Sequence, residues 1–67
     1  MHQKQLLILG SIGYATLQLQ PDWDIVALDV MIKNKLIQCG RLKGTLVYKL
    51  TSKGENVLRI MHTLLDL

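Results

Sequence analysis

The spacing of hydrophobic and polar positions changes along the chain, and each change marks an element. Over residues 45–50, Leu46, Tyr48 and Leu50 alternate with Thr45, Val47 and Lys49. A period of two is the signature of a half-buried strand. Leu36, Ile37 and Cys39 supply a second arm, and Lys43-Gly44 separates the two. Glycine there provides the positive φ that a short hairpin turn needs. After Leu50 the period lengthens. Ser52 and Glu55 have the S-x-x-E spacing of a capping box, with Thr51 as a rival N-cap, and both predict a helix start. From Lys53 to about Asp66, Val57, Leu58, Ile60, Met61, Leu64 and Leu65 cover about half of a helix circumference. Glu55, Arg59, His62 and Asp66 take the other half, with Glu55–Arg59 and His62–Asp66 at i,i+4.

The N-terminal half is less regular. Residues 2–9 predict a short helix with Leu6, Leu7, Ile8 and Leu9 as its apolar patch. Ser11 is placed to cap a second short helix through about Leu17, and a single bent helix over 3–18 is the alternative. Gln18–Pro21 reads as a turn, because proline pushes Gln20 out of helical geometry and suits the first turn of a helix. A third helix is expected from about Asp22 to Lys35, with Asp22 and Asp24 at its positive dipole end. Ile25, Leu28, Ile32 and Leu36 share one side of it, and Trp23, Ala27 and Val30 lie nearly opposite, with Val26 between. Asp29 and Lys33 form an i,i+4 pair. A helix apolar on nearly all sides is either buried or touches a partner as well as its own core.

Sixty-seven residues make one domain, spanning 1–67. Hydrophobic residues make up 49% of it but Phe is absent, so the core must be aliphatic. So small a body buries little surface by itself, which predicts a homodimer. The wide apolar half of the last helix is the expected seam, through Leu58, Met61, Leu64 and Leu65. A single cysteine, Cys39, excludes an internal disulfide framework and fits a reducing compartment. No signal peptide is visible, and the apolar run Leu6–Leu9 is far short of a membrane span, so a soluble cytoplasmic protein is expected.

Charge sharpens the picture. Residues 1–30 carry Lys4 against Asp22, Asp24 and Asp29, a balance of −2. Residues 31–67 carry seven basic side chains against Glu55 and Asp66, a balance of +5. From Lys33 to Lys53 there are six cations and no acid, the electrostatic footprint of a nucleic-acid surface. The bland reading of the same run is a solvated face that keeps a greasy protein soluble.

The order of elements, with the run Met31–Leu58, resembles a winged helix-turn-helix domain of the small bacterial or phage regulator type. The segment Tyr48-Lys49-Leu50-Thr51-Ser52-Lys53-Gly54 is similar to the "Y-x-L-T-x-x-G" lead-in to the last helix of such regulators. The resemblance implies an α+β, mostly α fold with three N-terminal helices, a two-stranded β-hairpin wing and a C-terminal helix. It also implies duplex DNA as partner and transcription regulation as role. The third helix would lie in the major groove, with Lys33, Asn34 and Lys35 at its end, Arg41 and Lys43 at the wing tip, and Lys49 and Lys53 near the flanking backbone. The sequence departs from the pattern at the leading turn of the third helix. Asp22, Trp23 and Asp24 stand there, and carboxylates repel phosphates. The competing expectation is a protein–protein interaction module on the same frame, a phage or plasmid accessory factor without DNA affinity, centred on Trp23, Val26 and Val30.

No enzyme is expected. His2, Cys39 and His62 lack metal-site spacing, so no metal or other cofactor is implied. Gly10-Ser11-Ile12-Gly13 lacks the lysine and preceding strand of a phosphate loop. Asp22 and Asp24 suit helix capping better than acid–base chemistry. No small-molecule site is evident.

Overall fold

The computed structural model describes residues 2–65. Its fold is α+β and mostly helical: two N-terminal helices, a β-hairpin and a C-terminal helix. Helix α1, Gln3–Ile12, begins in a capping box built on histidine. The His2 imidazole accepts the Lys4 N–H at 3.1 Å, and the Gln5 side chain accepts the His2 N–H at 3.4 Å. Helix α1 ends at Gly13, whose φ of +56° is left-handed and whose N–H still reaches the Leu9 carbonyl at 3.0 Å.

Neither the expected second short helix nor the long bent helix forms. Ser11 lies inside α1, and beyond Gly13 the chain is not helical. The physical reason is long-range. Leu17 N–H donates to the Tyr48 carbonyl at 2.9 Å, and Tyr48 N–H returns a 2.7 Å bond to the Leu17 carbonyl. Pairing with a strand 31 residues away satisfies backbone groups that a helix would otherwise have to satisfy locally.

Helix α2 covers Ile25–Lys33, so it starts three residues later than its sequence predicts. Asp24 is extended and its carboxylate accepts the Ala27 N–H at 2.9 Å, which makes it the N-cap. Trp23 sits in the preceding turn and is buried edge-on against Tyr48, with ring centroids 5.8 Å apart at 78°. The α2 C-terminus is a Schellman motif. Lys35 N–H bonds the Ile32 carbonyl and Leu36 N–H bonds the Met31 carbonyl, with Lys35 at φ +63°.

Strands β1, Ile37–Leu42, and β2, Thr45–Leu50, pair antiparallel from Ile37↔Leu50 to Leu42↔Thr45. Lys43 and Gly44 form the two-residue turn at φ +53° and +80°. Positive φ at both positions is the type I′ pattern, whose twist matches that of the strands. Helix α3, Ser52–Leu65, is capped by Thr51 and not through a Ser52–Glu55 box. The Thr51 hydroxyl accepts the Gly54 N–H at 3.1 Å and donates to the Lys35 carbonyl, while Thr51 N–H donates to the Leu36 carbonyl. One threonine thus ties the start of α3 to the corner between α2 and β1. Gly54 completes the joint. A Cβ there would overlap the Leu36 carbonyl oxygen and lie 3.3 Å from the Leu50 Cβ.

The core lies where these elements meet, with Ile8, Leu9, Ile12, Met31, Ile37 and Leu58 at its centre. Two expectations change with it. Leu58, expected at a dimer seam, is fully buried in its own core. Trp23, which only the competing reading places on a partner surface beside Val26 and Val30, is 5% exposed and leaves those two alone outside. The chain buries Trp23 because Tyr48, brought across by the Leu17 bridge, covers the ring. Asp29 and Lys33 form the expected ion pair at 2.9 Å. Arg59 bonds Asn56 rather than Glu55, and the His62–Asp66 pair lies outside the described residues. No helix among the described residues is long and apolar enough to cross a membrane.

Candidate nucleic-acid interface

The six cations of Lys33–Lys53 stand on the hairpin and at its base, all exposed. At the base, the α2 C-terminus and the α3 N-terminus bring Lys33, Asn34, Lys35 and Lys53 together. Lys33 extends toward Asp29, which neutralises it in part. Asn34 is the C-cap of α2, and its carbonyl accepts the Lys53 ammonium at 3.1 Å. Lys53 occupies the first turn of α3, where the helix dipole disfavours a cation, and the Asn34 carbonyl offsets that.

Along the hairpin, residues paired across the strands share a face. Arg41 and Leu46 continue the face that buries Ile37, Tyr48 and Leu50. Lys49 stands on the other face with Gln38. Lys43 is at the tip, and the Arg41 guanidinium folds back to donate to the Gly44 carbonyl at 3.3 Å. The cations therefore flank the hairpin on both faces and at its end. Cys39 is exposed on β1 opposite Tyr48. Burial, with the Cys39 sulfur adding to it, pushes the Tyr48 phenol above its usual range.

Two of the lysines are in the left-handed region, Lys35 at the Schellman position and Lys43 in the turn. A side chain with a Cβ costs about 1–2 kcal/mol there; glycine avoids that cost, and asparagine offsets part of it by hydrogen bonding locally. Periodicity carries no such signal. It becomes visible only in the backbone dihedrals.

Helix α2 presents a different surface. Its outward residues are Ile25, Val26, Asp29, Val30 and Lys33, and Val26 is 73% exposed. Asp24 at its N-terminus pairs with Lys4 at 3.2 Å. The Ala27 amide first, and the Lys4 ammonium after it, hold the Asp24 carboxyl below its usual range. Between α2 and the start of α1 lies an open groove of about 420 Å³ floored by Val26, Ala27 and Val30. Among the described residues, no three His, Cys, Asp or Glu side chains converge as a metal site. Comparison with protein-family models, curated proteins and solved structures gives no match.

Proposed function

We propose that this chain is a small duplex-DNA-binding regulator of winged-helix type in which the hairpin, not the helix before it, leads into the groove. The observation that supports this is the distribution of cations on a two-stranded projection. A β-ribbon fits the major groove and meets phosphates on either side. Arg41 on one face, Lys49 on the other and Lys43 at the tip match that arrangement, with Lys33, Asn34, Lys35 and Lys53 at the base to follow the backbone. Two lysines kept at left-handed positions point the same way, since strained residues concentrate at functional sites. The outward face of α2 is aliphatic apart from a self-neutralised ion pair and offers little to base edges. Contacts of this kind give affinity and orientation more than sequence readout.

The test is binding to random duplex DNA over a salt series. Affinity should fall steeply with salt, the logarithmic slope being about −0.9 per phosphate neutralised. Replacing Arg41 and Lys43 by Glu should abolish binding and leave the fold intact. Unchanged affinity in that double variant would refute the reading.

A second reading is favoured by the exposure of Val26 and Val30: the same frame serves as a protein-interaction module. It expects no duplex affinity even at low salt, so the same titration separates the two.

A further inference from the structure

The two faces of the hairpin differ in what covers them. Ile37, Tyr48 and Leu50 on one face are buried against the body, so the opposite face is the one left uncovered. That face carries Gln38, Gly40 and Leu42 on β1 and Thr45, Val47 and Lys49 on β2. An uncovered sheet face is ordinarily polar. Here the half nearer the turn is not. Leu42 is 59% exposed, its cross-strand partner Thr45 is exposed, and Val47 is half-buried. Gly40 keeps this patch open, since nothing lies within 4 Å of a Cβ added there. A shallow hollow of about 120 Å³ continues the face past Val47 to Gln38 and Lys49. The type I′ turn and the Arg41 bond to the Gly44 carbonyl hold the end of the hairpin in place.

We propose that this face reads thymine: Leu42, with Val47 diagonal to it, packs on the 5-methyl groups that thymines present in the major groove. The inference rests on the duplex-DNA reading above and adds the sequence readout that its cations lack. Two observations select the occupant. The patch is aliphatic, and the hairpin that bears it carries Arg41, Lys43 and Lys49 with no acid over residues 36–50. An aliphatic patch framed by cations fits a polyanion that presents methyl groups. Of the four bases only thymine presents one on its major-groove edge, and apolar contact with it is a general mode of base readout. Spacing agrees. Diagonal neighbours across a strand pair lie about 7–8 Å apart, close to two base-pair steps of ~3.4 Å. A two-stranded ribbon is also what that groove admits. An anionic lipid surface combines the same two chemistries, but binding there scales with the apolar area buried, and two side chains on a rigid ribbon supply little.

The test is fluorescence-anisotropy binding of the full chain, at low salt, to an alternating A·T duplex and to the same duplex with deoxyuridine in place of thymidine. The two differ only in the 5-methyl groups, while backbone charge and the minor-groove edge are unchanged. The wild type should bind the thymine duplex about four- to tenfold more tightly, for one or two buried methyls. Leu42→Ala, at an exposed site, should bind both duplexes as the wild type binds the uracil one. Leu42→Met should keep most of the preference, with far-UV circular dichroism confirming the fold of each variant. Equal wild-type affinity for the two duplexes, with a steep salt slope, would overturn the proposal and leave the DNA reading standing. So would a preference that survives in Leu42→Ala, because the methyl is then read elsewhere. Binding to neither duplex would overturn both. Co-sedimentation with phosphatidylserine vesicles that is lost in Leu42→Ala, while the two duplexes bind alike, would overturn it in favour of a lipid surface.

Discussion

Replacing Gly54 by Ala should unfold the protein more readily, against the ordinary expectation for a helix. In an exposed helix interior that substitution gains about 1 kcal/mol. At Gly54 the new methyl overlaps the carbonyl oxygen of Leu36 and lies 3.1 Å from its carbon. That carbonyl cannot retreat alone, because it accepts the Thr51 N–H at 3.0 Å. Moving α3 away strains the Thr51 cap as well. Overpacking of this kind costs about 1–3 kcal/mol, and a weakened cap about 1 kcal/mol more. Set against the propensity gain, the net loss is roughly 1–3 kcal/mol. A domain of this size has a total stability of about 3–10 kcal/mol, so the loss is large. Gly10 is the internal control. It sits within α1 with nothing within 4 Å of an added Cβ, so Gly10→Ala should gain about 0.5–1 kcal/mol. Urea unfolding followed by circular dichroism and by Trp23 fluorescence, at fixed protein concentration, reads both. The reasoning fails if Gly54→Ala raises the midpoint as Gly10→Ala does.

Three further outcomes follow from the same geometry. Lys35→Gly should raise stability by about 1 kcal/mol by relieving a left-handed side chain, while lowering DNA affinity and the salt slope by about one phosphate; a lower thermal midpoint would contradict the strain argument. Lys43→Asn should likewise keep or raise stability, since Asn-Gly is the preferred type I′ pair, and should weaken DNA binding in the same titration. Asp24 has a lowered folded-state pKa, so it contributes stability above its unfolded value of about 3.8, lost as pH falls through the lower folded value. Asp24→Asn should therefore flatten the acid limb of a stability–pH profile; an unchanged limb would place the acid sensitivity elsewhere.

The hairpin and the last helix were readable from the chain because their information is local. Alternation over Thr45–Leu50, a Lys-Gly turn and a Thr or Ser cap each act within a few residues. The same holds for the Asp29–Lys33 pair and for the cluster of cations, which local order places on the hairpin and at its base. The stretches 13–17 and 22–24, on either side of the expected Gln18–Pro21 turn, were not readable in this way. The helical propensity of the first lost to a backbone pairing of Leu17 with Tyr48, and no periodicity within it encodes a partner so far away. For the same reason helical spacing alone leaves Trp23 open to a partner surface or to burial, and the contact with Tyr48 decides for the core.

Composition and period alone thus determined a largely aliphatic core, which Trp23 and Tyr48 join, a β-projection rich in positive charge, and an amphipathic C-terminal helix. Tertiary structure alone decided which apolar residues that core consumes. Leu58 went inside and Leu65 stayed out, although both lie on one stripe, because α3 packs against the core as far as Met61 and its last turn runs beyond it. It also decided that Gly54 must be glycine, since the carbonyl it approaches belongs to a residue 18 positions earlier. Sequence patterns report the faces of an element; where two elements cross, and how closely, is set by the packing of all of them together.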